Sequence, residues 1–180
     1  EVPFVGLRQN FERNSDAIMK IVQDTLSSGD LIMRDDLLQF EDKVAEFLGS
    51  KYSIGLNSGT DAMMLSLMAL GVGEDDEVIT VGHTFVATVA AIKHTGAEPI
   101  LIDVGSDHNM DMGLLGDAVT AKTKAIIPVH LNGRLCDMKK LMDISTKYKL
   151  NIVEDACQAW GATFSGQRAG TFGVTGCFSL

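Results

Sequence analysis

From residue 52 onward the chain alternates short apolar runs with helical patterns, and this alternation restricts the fold more than any other feature. Candidate strands cover 52–56, 77–81, 99–104, 125–131, 151–156 and 176–180. Helical patterns cover 60–70, 85–95, 112–118 and 137–148. Strands separated by helices of this length join as β-α-β crossovers, which run parallel and bury both faces of their sheet. The expected class is α/β, with a mainly parallel sheet between helical layers. The stretch 162–176 holds turn residues in place of a helical pattern and reads as a hairpin and loop. Upstream, 8–28 and 35–48 carry helical spacing that ends at Gly29 and Gly49. Residues 1–50 therefore read as a helical lead-in to an α/β domain over 51–180.

Composition removes several alternatives. No run of apolar residues exceeds four, far short of the roughly 20 that a membrane span needs. The first eight residues lack the basic and apolar regions of a signal peptide. A net charge of 15 − 24 = −9 argues against non-specific binding to nucleic acid or an anionic membrane. Cys136, Cys157 and Cys177 are odd in number and form no C-x-x-C pair. A disulfide framework is not expected, and a reducing cytoplasm suits the chain best. His83, His94, His108 and His130 show no metal-ligand spacing, so no metal site is expected.

Ligands of open α/β sheets bind beyond the carboxyl ends of the strands. After the first candidate strand comes Asn57-Ser58-Gly59-Thr60-Asp61-Ala62, running directly into a helix. Glycine admits a close approach, a helix start leaves N–H groups unpaired, and hydroxyls flank them, which together make an anion site. An ordinary turn with Ser58 or Thr60 as N-cap is the alternative. Phe85 follows the second strand, where it suits either stacking on a flat ring or packing in the core. The strand at 151–156 ends in Glu154 and Asp155, which must point to opposite faces. One should face the crevice, and the other a helix start or solvent. A carboxylate at that edge suits a protonated ring nitrogen, a metal or a helix cap. The chain has no G-x-G-x-x-G after a strand and no P-loop motif. The lysines at 122, 124, 139, 140, 147 and 149 read as solvated surface.

Taken in order, these pieces resemble the DegT/StrS-type sugar aminotransferases, pyridoxal-phosphate enzymes of fold type I. The matching runs are Asn-Ser-Gly-Thr-Asp-Ala (57–62), Asp-Glu-Val-Ile-Thr (76–80) and His-Thr-Phe-Val-Ala-Thr (83–88). They continue with Ala-Glu-Pro-Ile-Leu-Ile-Asp-Val (97–104), Thr-Lys-Ala-Ile-Ile-Pro-Val-His-Leu-Asn-Gly (123–133), Glu-Asp-Ala-Cys-Gln-Ala (154–159) and Gly-Thr-Phe-Gly-Val-Thr-Gly-Cys-Phe-Ser (170–179). Each run alone is weak; the ordered set is specific.

The resemblance implies the large domain of fold type I and the cofactor pyridoxal 5'-phosphate. It implies that Gly59 and Thr60 hold the cofactor phosphate, with Ser179 as a further ligand. It places Phe85 on the pyridine ring, Asp155 at the ring nitrogen and Gln158 near the ring hydroxyl. The implied reaction moves an amino group, usually from glutamate, onto a keto group of a nucleotide-linked sugar. Relatives form dimers with sites at the subunit interface, and a smaller C-terminal domain completes the site. Their Schiff-base lysine lies about five residues past the match to Ser179, so it is expected beyond Leu180, and residues 1–180 alone are expected to be inactive. A histidine at that place would imply a sugar dehydratase, and a non-catalytic module binding a phosphorylated ligand is a third reading. Met33-Arg34-Asp35-Asp36, Asn132, Arg134 and Trp160 depart from the usual family pattern, which bears on substrate and not on cofactor.

Overall fold

In the computed structural model, which describes residues 6–180, the chain opens with α1 (Leu7–Ser28), α2 (Asp35–Leu48) and α3 (Gly59–Ala69). Then come β1 (Glu77–Val81), α4 (Val86–His94), β2 (Glu98–Ile102), α5 (Met112–Leu115) and β3 (Thr123–Ile126). The rest comprises α6 (Met138–Tyr148), β4 (Asn151–Asp155), β5 (Thr163–Phe164), β6 (Gln167–Arg168) and β7 (Thr175–Cys177). Five strands pair in parallel in the order β2-β1-β3-β4-β7.

Strand alternation divides the core into two layers. Val78, Ala125, Ile127, Val153 and Cys177 pack with Met63, Leu67, Ala91 and Ile92 of α3 and α4. Their neighbours Ile79, Ile126 and Ile152 turn to the other face and meet Leu115, Met138 and Leu141 of α5 and α6. The class and layering expected from the sequence are therefore observed. Among the described residues no helix is long and apolar enough to cross a membrane.

One expected strand is missing. Residues 52–56 have no ladder partner among the described residues, and Tyr52 and Ile54 lie exposed. A period-two apolar pattern needs a neighbouring strand to become a ladder. This segment is instead tied to α2, where Gly55 N donates to Glu41 Oε1 at 2.6 Å. The expected strands 125–131 and 176–180 are shorter, ending at Ile126 and Cys177. Beyond Ile126 the chain still runs between β1 and β4: Ile127 N donates to Ile79 O and His130 N to Asp155 O.

The expected hairpin is β5 paired antiparallel with β6. Its two-residue turn, Ser165-Gly166, has φ values of 51° and 85°, the left-handed pair that matches strand twist. Two departures from the family pattern are packing features. Trp160 stacks on Phe47 of α2 at 5.1 Å and meets Phe178 edge-on at 5.3 Å. Arg34 closes the α1–α2 turn by donating to Ser28 Oγ and Asp30 O.

Candidate active site

After β1 the chain turns to β2 on one side, then returns to pair β3 on the other. Such a reversal opens a crevice beyond the carboxyl ends of the strands. A cavity of about 390 Å³ lies there. Its walls come from Ser58, Gly59, Thr60 and Met63 at α3, and from Thr84, Phe85, Ala87 and Thr88 at the start of α4. Val129 and His130 after β3, Asp155, Cys157 and Gln158 at the end of β4, and Ser179 after β7 complete it. Gly59, Thr60, Phe85, Asp155, Gln158 and Ser179, the six residues singled out in the sequence, all line this one cavity.

The helix start of α3 forms one wall. Ser58 is the N-cap, and its Oγ accepts from Asp61 N at 3.1 Å. Gly59 and Thr60 occupy positions whose N–H groups have no carbonyl one turn back, so an anion finds donors and the positive helix end together. Gly59 is required by close approach: a Cβ there would lie 2.6 Å from Cys157 Sγ and 3.4 Å from Ser179 Cβ. Of the two residues offered as N-cap, Ser58 takes that place, which leaves Gly59 and Thr60 facing the cavity.

Asp155 supplies a carboxylate only 6% exposed. Thr88 Oγ1 donates to its Oδ2 at 2.7 Å, and Cys157 N to its Oδ1 at 3.2 Å. Glu154 points to the other face, as strand alternation demands, but it reaches neither a helix start nor solvent. Its Oε1 accepts from Phe172 N at 2.6 Å and Gly173 N at 2.7 Å. Its Oε2 accepts from Gly170 N at 2.8 Å and bonds His130 Nε2 at 2.9 Å. Because Cys136 N donates to His130 Nδ1, the proton sits on Nε2 and points at Glu154. Sequence alone gave no sign of this buried clamp, whose amides come from a loop 16–19 residues away.

Phe85 caps α4 and is 69% exposed, so it belongs to the cavity wall and not to the core. Gln158 Oε1 accepts from Asn132 N at 2.9 Å, which ties the end of β4 to the turn after β3. Cys157 sits between Gly59 and Asp155, where burial first and the Asp155 charge second raise its thiol pKa. No lysine is among the lining residues. Thr84 and Thr88 belong to the run 83–88, yet their place at the cavity escapes sequence reasoning; hydroxyls just before and within the first turn of the helix after a strand were the available signal.

A buried carboxylate, an amide-rich helix start and an exposed aromatic ring surround one cavity, a set of groups that could hold a flat, phosphorylated molecule carrying a protonated nitrogen. The profile of the DegT/DnrJ/EryC1/StrS aminotransferase family matches residues 12–180, and the chain belongs to that family. It is 39% identical over 180 residues to a UDP-2-acetamido-2-deoxy-3-oxo-D-glucuronate aminotransferase of Pseudomonas aeruginosa, covering 99% of this chain and 50% of that protein. It is 42% identical over 171 residues to a dTDP-3-amino-3,4,6-trideoxy-alpha-D-glucose transaminase of Micromonospora megalomicea, covering 94% and 46%. The crystal structure of NtdA from Bacillus subtilis with bound cofactor PMP superposes with a TM-score of 0.88 at 35% identity, covering 94% of this chain and 40% of that one. The chain spans about half the length of the curated relatives it matches.

Proposed function

We propose that this chain binds pyridoxal 5'-phosphate and forms part of an aminotransferase that aminates a nucleotide-linked keto sugar, with glutamate as donor. The observation that carries the reading is the convergence of Asp155, Phe85 and the Gly59-Thr60 helix start on one cavity. Family membership and the activities of relatives that are 39–42% identical over the aligned residues support it.

The residues present fit the cofactor. Gly59, Thr60 and Ser179 would hold its phosphate, Phe85 would cover the ring, Asp155 would keep the ring nitrogen protonated, and Gln158 would meet the ring hydroxyl. Bound there, the cofactor supplies an electron sink for the carbon that loses a proton. Asp155 contributes charge: held by Thr88 and Cys157 N, it faces the cavity without rearrangement. None of the lining residues is a lysine, so no Schiff-base role is assigned within residues 1–180. A cytoplasmic homodimer with shared sites completes the proposal, in line with the three free thiols.

The test is amino transfer by the full-length protein. Given the cofactor, glutamate and a panel of UDP- and dTDP-linked keto sugars, it should release 2-oxoglutarate in proportion to amino sugar formed. Cofactor binding without transfer to any keto sugar would overturn the proposed reaction while leaving the proposed cofactor in place.

A further inference from the structure

Two hydroxyls of the cavity wall form a one-directional chain to Asp155. Thr84 Oγ1 and Thr88 Oγ1 lie 2.8 Å apart, and Thr88 Oγ1 lies 2.7 Å from Asp155 Oδ2. An ionised carboxylate only accepts, so the single proton of Thr88 must go to Asp155. The lone pair left on Thr88 then takes the proton of Thr84. Both line the cavity; Thr88 is fully buried and Thr84 half-buried.

From this ordering we infer that Thr88 is a positioning residue: it fixes the Asp155 carboxylate towards the cofactor ring nitrogen, and Thr84 locks Thr88 in its donating orientation. The inference rests on the proposed role of Asp155. Three features make the device rigid. Thr88 is the third residue of α4, so its backbone is held by the first helical turn, where Thr88 N bonds Phe85 O at 3.1 Å. Its β-branched side chain has restricted χ1 freedom. Cys157 N holds the other carboxylate oxygen, so the group is pinned from both sides. The same turn of α4 begins at Phe85, so the ring-covering side chain and the carboxylate clamp share one rigid element.

The experiment uses full-length protein with Thr88→Val, Thr88→Ser and Asp155→Asn. Its readouts are the dissociation constant for pyridoxal phosphate and the pH dependence of the bound cofactor's visible band. Valine keeps the shape and removes the charge-assisted hydrogen bond, a loss expected to weaken binding about tenfold. It should also shift the band's pH profile in the direction that Asp155→Asn does, by less. Serine restores the hydroxyl and should return both readouts to within about twofold of the parent. If Thr88→Val does not accumulate as folded protein, Thr88→Ala replaces it with the same expectations. A Thr88→Val protein that binds and titrates like the parent, while Asp155→Asn does not, overturns the positioning role alone. If Asp155→Asn itself leaves both readouts unchanged, the reading of Asp155 fails instead.

Discussion

Glu154 and Asp155 are consecutive residues on β4, and their carboxylates serve opposite sides of the sheet. Asp155 faces the cavity, paired with Thr88, while Glu154 is fully buried beneath the 170–173 loop with His130. The same functional group therefore faces the cavity at one position, where the chemical task proposed above falls to it, and holds a loop at the next, a division decided by strand alternation.

Substituting each by its amide separates the two tasks. Asp155→Asn should fold normally and lower turnover about 10²–10³-fold, because an amide cannot stabilise a positive ring nitrogen. Glu154→Gln should instead unfold more easily by about 3 kcal/mol, since its NH₂ must face donors that the second oxygen now accepts. Turnover and urea unfolding of both variants provide the check. Equal effects of the two on both measurements would remove the distinction.

Phe85→Leu should affect retention and not stability. The ring is 69% exposed, so its removal leaves no core cavity. Stacking contributes about 0.5–1.5 kcal/mol, or roughly 2- to 12-fold in cofactor affinity. A melting temperature that falls while affinity stays constant would return Phe85 to a packing role.

Gly59→Ala should lower stability by about 1–3 kcal/mol through overpacking, because its Cβ would collide with Cys157 Sγ. Adding Cys157→Ala removes that sulfur and should recover part of the loss, so the double-mutant cycle should give a coupling of at least about 0.5 kcal/mol. Strict additivity would show that the two residues do not meet.

High pH should destabilise the fold. Burial is the main cause that raises the thiols of Cys136 and Cys177 from 9.0 to about 12. Between those values the unfolded chain has released these protons while the folded chain still holds them. The folded state binds more protons, so stability falls as pH rises, by up to about 1.4 kcal/mol per pH unit for each thiol. Urea midpoints at pH 8, 9.5 and 10.5 measure the slope. Replacing Cys136 and Cys177 by alanine should make it shallower, with the raised Cys157 thiol keeping part of the slope, and an unaltered slope would assign the loss to other groups.

The parallel sheet was legible because its strands and helices differ in period and length, and because both faces are apolar. The segment 52–56 carried the same local pattern and failed for a non-local reason: nothing among the described residues pairs with it. Gly59, Thr60, Phe85 and Asp155 were legible as candidates by their positions just past expected strands, whereas Gln158 and Ser179 were named only through the family resemblance. Glu154 was not, because its amide partners lie across a loop whose path no local pattern encodes. Thr88 stood within a recognised run, yet only its distance to Asp155 suggests the role inferred for it.

The cavity built by Gly59, Thr60, Phe85 and Asp155 is proposed above all to bind pyridoxal phosphate. The most direct test is an absorption titration of purified full-length protein with the cofactor, in parallel with Asp155→Asn and Phe85→Leu. The expected result is a saturable visible band at one cofactor per chain, shifted by added glutamate, with altered band position for Asp155→Asn and weaker retention for Phe85→Leu. A protein that shows no saturable band, or one whose band and affinity are indifferent to both substitutions, would contradict it.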